Sequence, residues 1–324
     1  MINILMYHGF TDKDSHDGIM NHHGKHLNIK KFEEQICFLK AKCHIISLTE
    51  LIDAFRHKQA LSKHSVVITI DDGYRSNYTL AYPILLKHKV PAAIFVTTDF
   101  IDQKRFLWFD RLEHAINKTD KTNLDINLNG QDLHVDLSNK AMRIRADQKI
   151  KSILKTLTSQ KRDHIVNRLE ACTQQSLSPA FHEEMYHPLS WSEIRTMQTS
   201  GLVTIGSHSC SHPIVTKCSF ENLQDELSGS KQRIEAMTQS ACFYFSYPNG
   251  HKGDFNATTK AALMEHGYHA AFTTVIGSND LNDDCYELKR LNIHDQGDLS
   301  GFQRTLSPFF RFLRGIKDGS IFRP

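Results

Sequence analysis

The chain has 324 residues, 39 Lys and Arg against 36 Asp and Glu, and is 40% hydrophobic and 23% charged, enough apolar content to bury a full core in one large or two smaller domains. That composition excludes disorder, collagen and coiled coil, and a formal net charge of +3 with dispersed basic residues offers no clustered face to a nucleic acid. Seven cysteines, odd in number and without a Cys-x-x-Cys pair, suggest neither a disulfide framework nor a zinc ribbon and favour a reducing compartment.

The opening Met1-Ile2-Asn3-Ile4-Leu5-Met6-Tyr7-His8 lacks a basic flank, and its apolar run is too short for a signal-peptide core. No other stretch approaches the roughly 18 apolar residues of a membrane span, so a cytoplasmic address is expected. Short β-branched or aromatic runs then alternate with helical patterns, the signature of an α/β fold with a parallel sheet or barrel. Strands are predicted at 2–7, 66–70, 93–97, 203–206, 242–245 and 270–273. Between them, 103–188 turns polar and Lys- and Asn-rich and reads as a mostly helical insertion within a single 1–324 domain, with Asn129-Gly130 marking a turn. Ser190-Trp191-Ser192-Glu193 predicts a capping box at a helix start, and Gly201 a left-handed stop. In the 298–324 tail, Ser307-Pro308 predicts a helix start that puts Phe309, Phe310, Leu313 and Ile316 on one face, to be covered by the core or by a membrane surface.

Two segments carry chemistry. Thr69-Ile70-Asp71-Asp72-Gly73-Tyr74 places two carboxylates at the C-terminal end of an apolar strand, where ligands collect in parallel α/β folds. Neighbouring side chains on a strand diverge, so joint use of both carboxylates needs the turn that Gly73 permits; the plainer alternative is an Asp-Gly turn with two solvated acids. Gly206-Ser207-His208-Ser209-Cys210-Ser211-His212-Pro213 also follows a strand, and its two histidines share a face if the segment coils helically. With 20 histidines in 324 positions roughly one such pair arises by chance; His22 and His26 form another, in a loop-like run expected at the surface. Taken together, His208, His212 and one carboxylate make a two-His, one-carboxylate metal site with open positions, leaving the other carboxylate as a base.

This pair of motifs, Thr69 to Gly73 and His208 to Pro213, resembles the polysaccharide deacetylase family, carbohydrate esterase family 4, which includes the nodulation-type chitooligosaccharide deacetylases. The resemblance implies a distorted (β/α) barrel with its site at the C-terminal strand ends. It further implies that Asp72, His208 and His212 hold a divalent metal, zinc by default with cobalt or nickel as alternatives, and that Asp71 acts as general base. One departure stands out: in Phe245-Ser246-Tyr247-Pro248-Asn249-Gly250, Ser246 occupies the place of the family's usual Arg, and Arg290 is expected to bring an equivalent charge from another loop.

The same Arg-less Tyr-Pro segment, together with Met6-Tyr7-His8, resembles the biofilm poly-N-acetylglucosamine deacetylase subgroup and nominates His8 as general acid, with His294 as the alternative. Tyr74, Trp108 and Tyr247 are candidates for an aromatic sugar platform or for plain core, and Cys210 is read as structural. The implied function is metal-dependent removal of N-acetyl groups from GlcNAc-type residues of a glycan or glycan precursor. A cytoplasmic address would favour a lipid- or nucleotide-linked sugar, with the C-terminal helix at the inner face of the membrane. An O-acetyl esterase or deformylase on the same site, and a catalytically silent glycan-binding module, are the alternatives.

Overall fold

The structure, a computed structural model, describes residues 1–128, 130–178, 184–295 and 297–307. Seven parallel strands form a barrel: β1 (Asn3–Tyr7), β2 (Ser65–Ile70), β3 (Ala92–Val96), β4 (Val203–Ser207), β5 (Tyr244–Ser246), β6 (Ala270–Ile276) and β7 (Leu288–Asn292). Strand β1 closes it, pairing Leu5 with Ile68 of β2 on one side and with Leu291 of β7 on the other. The short strand His44–Ile45 extends the sheet alongside β2. The six predicted strands fall within two residues of their observed bounds at either end, apart from the C-terminal end of β6, which runs on to Ile276.

Period-two alternation sorts each strand into two layers. Leu5, Tyr7, Val66, Ile68, Ile94, Phe245 and Leu291 pack outward on helical residues such as Phe32, Ile36, Leu85 and Leu263. Ile4, Val67, Ala93, Phe95, Phe272 and Leu288 share the other core and floor the barrel. Continuing that inner face toward the C-terminal strand ends brings Thr69, Ser246 and Arg290, all buried, so a polar layer lies above the apolar floor and below the loops. Gly206 keeps the wall closed, because a Cβ there would lie 2.6 Å from the Phe95 ring and 2.9 Å from the Tyr244 carbonyl oxygen.

The capping box at Ser190 and Glu193 is formed, opening helix Trp191–Thr199, and Gly201 takes φ +75° just beyond its end. The insertion is less helical than expected. Helices Trp108–Lys118, Lys140–Leu154 and Ser159–Thr173 surround an antiparallel hairpin, Asn123–Leu128 with Gln131–Asp136. The reason is a short alternation: Leu124 and Ile126 face Val135 and Leu133 across the ladder and join Leu112, Ile116, Ile150 and Val166 in a core of their own. Near the C-terminus Asp298 caps helix Leu299–Leu306, while the helix predicted after Ser307-Pro308 lies outside the described residues. Among the described residues no helix is long and apolar enough to cross a membrane, and all seven cysteines are free.

Candidate active site

At the end of β2 the chain reverses through two left-handed residues, Asp72 at φ +77° and Gly73 at φ +92°. Asp71 stays on the inward face set by Val67 and Thr69, and Asp72 swings round to join it; Asp is one of the few side-chain-bearing residues that tolerate this conformation. The His208–His212 segment is not helical. Left-handed Ser209 at φ +67° and His212 at φ +58° fold it into a loop, and this, rather than a helical repeat, turns both imidazoles to the same point.

The result is a compact three-residue group. The His208 and His212 Nε2 atoms lie 3.5 and 3.6 Å from the Asp72 Oδ1 atom, and all three residues are buried. His208 Nδ1 bonds the Ser246 carbonyl oxygen at 2.7 Å, which makes Nδ1 the donor and leaves Nε2 as a lone pair aimed at Asp72. Burial lowers both imidazoles below the usual histidine range, so both rings are neutral. Burial pushes the Asp72 carboxyl up to about 8 against the opposing charge of Lys25, and its Oδ2 atom is buried with no hydrogen-bond partner. Two neutral imidazole nitrogens, an orphaned carboxylate oxygen and spacing within 4.8 Å fit a divalent cation.

Asp71 is held differently. Arg290 donates Nη1–H to Oδ1 at 2.8 Å and Nη2–H to Oδ2 at 2.7 Å, a two-pronged clamp from the middle of β7. The same guanidinium donates to the Thr273 carbonyl oxygen at 2.8 Å, to Ser246 Oγ at 2.9 Å and to Thr69 Oγ1 at 3.2 Å. Ser246 Oγ in turn donates to Asp71 Oδ2 at 3.1 Å. Burial alone would raise the Asp71 carboxyl, but the adjacent Arg290 charge and hydrogen bonds, with His208, outweigh it and hold the group well below the carboxylate range. The guanidinium that clamps Asp71 thus comes from across the barrel, with the small Ser246 lying against it.

His8 follows β1 directly. Burial lowers it to about 3, and Asp71 and His294 both act on it through space, so the two rival acid candidates are neighbours at one rim. His8 Nδ1 is buried without a hydrogen-bond partner, whereas His294 is exposed. The aromatic platform needs correction. Tyr74 and Tyr247 are 0% exposed and Trp108 5%. Tyr247 stacks on Phe255 and donates its hydroxyl to the Tyr286 carbonyl oxygen, Trp108 is covered by Arg162, and Tyr74 donates its hydroxyl to Asp110 at 2.6 Å. Their faces are spent on packing: Tyr247 in the main helix-facing core, Trp108 in the core of the insertion and Tyr74 against Phe100 and Leu107. His26 is also buried, on the strand His26–Asn28, and the His22 side chain is only 5% exposed, so neither is a surface residue.

Three residues at the site were not anticipated. Lys25 ion-pairs with Asp110, lies 2.7 Å from the Tyr74 hydroxyl and sits over the Phe109 ring, which meets the His212 ring edge-on at 5.3 Å. Phe109 and Asp110 come from the insertion next to Trp108, and Lys25 from the loop that carries His22 and leads into the strand His26–Asn28. No periodic or motif signal marks a lone Lys, so only the tertiary contacts reveal it.

A barrel with a paired Asp and two converging His at its C-terminal rim is the architecture of a hydrolase of the carbohydrate esterase type. The family model for polysaccharide deacetylase matches residues 58–271, and the chain belongs to that family. The match includes Asp71, Asp72, His208, His212 and Ser246, whereas His8, Arg290 and His294 lie outside it. Poly-beta-1,6-N-acetyl-D-glucosamine N-deacetylase of Staphylococcus aureus is 31% identical over 122 residues, 36% of this chain and 42% of that protein. The Staphylococcus epidermidis protein of the same name is 33% identical over 97 residues, 30% and 31% of the two chains. The chain therefore spans less than half the length of these curated relatives. Among solved structures, the Streptococcus pyogenes deacetylase PplD in complex with acetate superimposes with a TM-score of 0.63 at 17% identity, covering 95% of this chain and 98% of that one. IcaB from Ammonifex degensii gives 0.57 at 17% identity, with 94% and 97% covered. At these identities the two structures establish the shared fold.

Proposed function

We propose that this chain is a metal-dependent N-deacetylase that removes N-acetyl groups from GlcNAc-type residues of a glycan. The observation that carries the reading is the Asp72, His208 and His212 group set directly beside a carboxylate that Arg290 keeps ionised. The names of the staphylococcal relatives support the sugar. A cytoplasmic address, also a proposal, would present that sugar on a lipid- or nucleotide-linked precursor.

Asp72 Oδ1 and the two Nε2 atoms would hold the ion, zinc first, with cobalt or nickel as alternatives. When bound, it supplies Lewis-acid chemistry that polarises the amide carbonyl and acidifies water. Asp71 is ionised at any physiological pH and is positioned to accept a proton from the attacking water, its orientation fixed by the two Arg290 bonds and Ser246. His8 is neutral at rest; protonated from solvent as negative charge builds on the reacting amide, it passes that proton to the leaving amine, while the proton taken up by Asp71 returns to solvent. Chitooligosaccharides incubated with protein as purified, after chelation, and after adding back zinc, cobalt or nickel should release acetate and free amine only in the metal-loaded states. Asp71→Asn should lower release about 100-fold or more. Release that survives chelation overturns the metal assignment, and cleavage of O-acetyl esters alone overturns the N-deacetylase.

A further inference from the structure

We propose that His22, His23 and Asp147 form a second site for a divalent transition-metal ion, outside the deacetylase site, that pins the insertion to the loop carrying Lys25. Both imidazole Nε2 atoms converge on one carboxylate oxygen: His22 lies 2.8 Å and His23 3.5 Å from Asp147 Oδ2, and one donor atom from each of the three falls within 4.8 Å of the others. Asp147 is 0% exposed, and its second oxygen, Oδ1, is buried with no hydrogen-bond partner. A carboxylate out of water with one oxygen unused is costly unless something engages it.

Consecutive side chains usually diverge. Here left-handed Asn21 at φ +55° and Gly24 at φ +67° bracket the pair, and the two rings pack with centroids 3.8 Å apart. The turn is braced by the Asn21 amide donating to Glu113 Oε1 at 3.2 Å and by the Gly24 carbonyl oxygen accepting from the Asp295 amide at 2.8 Å. Glu113, on helix Trp108–Lys118, also brings Oε2 to 4.0 Å from His22 Nε2, a fourth donor within reach. Two imidazoles with one or two carboxylates suit zinc, cobalt or nickel, whereas calcium and magnesium take oxygen ligands.

One cation competes for the place. Lys151, one turn along helix Lys140–Leu154, sets its Nζ 2.8 Å from the same Asp147 Oδ2. Its side chain is 14% exposed, so it reaches in from the rim on a flexible stem, and a divalent ion balancing Asp147 and Glu113 would release it. The ion would join helices Lys140–Leu154 and Trp108–Lys118 to a loop whose next residue but one after His23 is Lys25, the cation beside Asp110 and Tyr74.

The test is a count of ions on the full chain. Protein stripped with chelator is reloaded with zinc alone, and bound zinc is measured by elemental analysis and titration calorimetry. Two zinc ions per chain are expected in the wild type, one in His22→Ala/His23→Ala, one in His208→Ala and none when all three changes are combined. Asp147→Asn, which keeps the side-chain shape, should also lose one, and Lys151→Met should bind the second zinc at least tenfold more tightly by removing the competitor. A wild type that loads one ion, lost in His208→Ala and kept in His22→Ala/His23→Ala, overturns the second site, as does unchanged zinc affinity in Lys151→Met. A single ion kept in His208→Ala and lost in Asp147→Asn would support the second site while defeating the deacetylase metal assignment.

Discussion

Replacing Arg290 with Met separates the energetics of the buried clamp from ordinary packing. Arg290 is wholly buried and gives Asp71 two hydrogen bonds of 2.8 and 2.7 Å, so its loss leaves an unpaired carboxylate inside the barrel. Breaking a buried pair from one side costs about 3–5 kcal/mol. At about 2 °C per kcal/mol for a chain of this size, thermal unfolding should shift down by about 6–10 °C. In Asp71→Asn/Arg290→Met both charges are gone and the same space is vacated, so most of the lost stability should return.

The pH dependence has a definite sign. In the wild type Asp71 is held below its unfolded value, so its contribution is present above the ordinary carboxylate range and fades as pH falls. Without Arg290 the largest opposing influence is gone and burial raises the group against the weaker pull of His208 and His8, so the penalty is present above that raised value and relieved as pH falls through it. Denaturant unfolding of metal-stripped protein should therefore show the gap between wild type and Arg290→Met narrowing from pH 8 to pH 4. If Arg290→Met costs as much in the Asp71→Asn background as alone, or if the gap ignores pH, the clamp contributes only packing.

Two further substitutions test the rim. With saturating oligosaccharide, His8→Ala should lower kcat about 100-fold or more with bound metal unchanged, while His294→Ala changes it several-fold at most; the reverse order would transfer the acid role to His294. Lys25→Met removes the charged partner of the buried Asp110, leaving only the Tyr74 hydroxyl, and should cost about 1.5–3 kcal/mol of stability by denaturant unfolding, recovered in part by Asp110→Asn in the same chain. It should also lower kcat with metal content intact, and an unchanged kcat would confine Lys25 to a structural role.

Much of this protein is legible in one dimension because its signals are local. Strand runs such as Val66 to Ile70 carry their own period, Ser190 and Glu193 complete a capping box within four residues, and Asp71-Asp72-Gly73 and His208 to His212 each follow a strand end that a parallel fold turns to one rim. The absence of an Arg at 246 is itself a sequence signal that directs attention to Arg290. What required the tertiary structure depends on how distant segments meet. Backbone reversals at Asp72 and His212, not helical spacing, bring Asp72, His208 and His212 together. Closure of β7 against β1 carries Arg290 across the barrel to Asp71, 219 positions away in the chain. Tyr74, Trp108 and Tyr247 read in the sequence as either a sugar platform or core and are core in the structure, since an aromatic side chain is buried or presented according to what packs over it. Lys25 and Phe109 reach the site from a loop and an insertion because pairwise contacts of that kind leave no periodic trace in the chain.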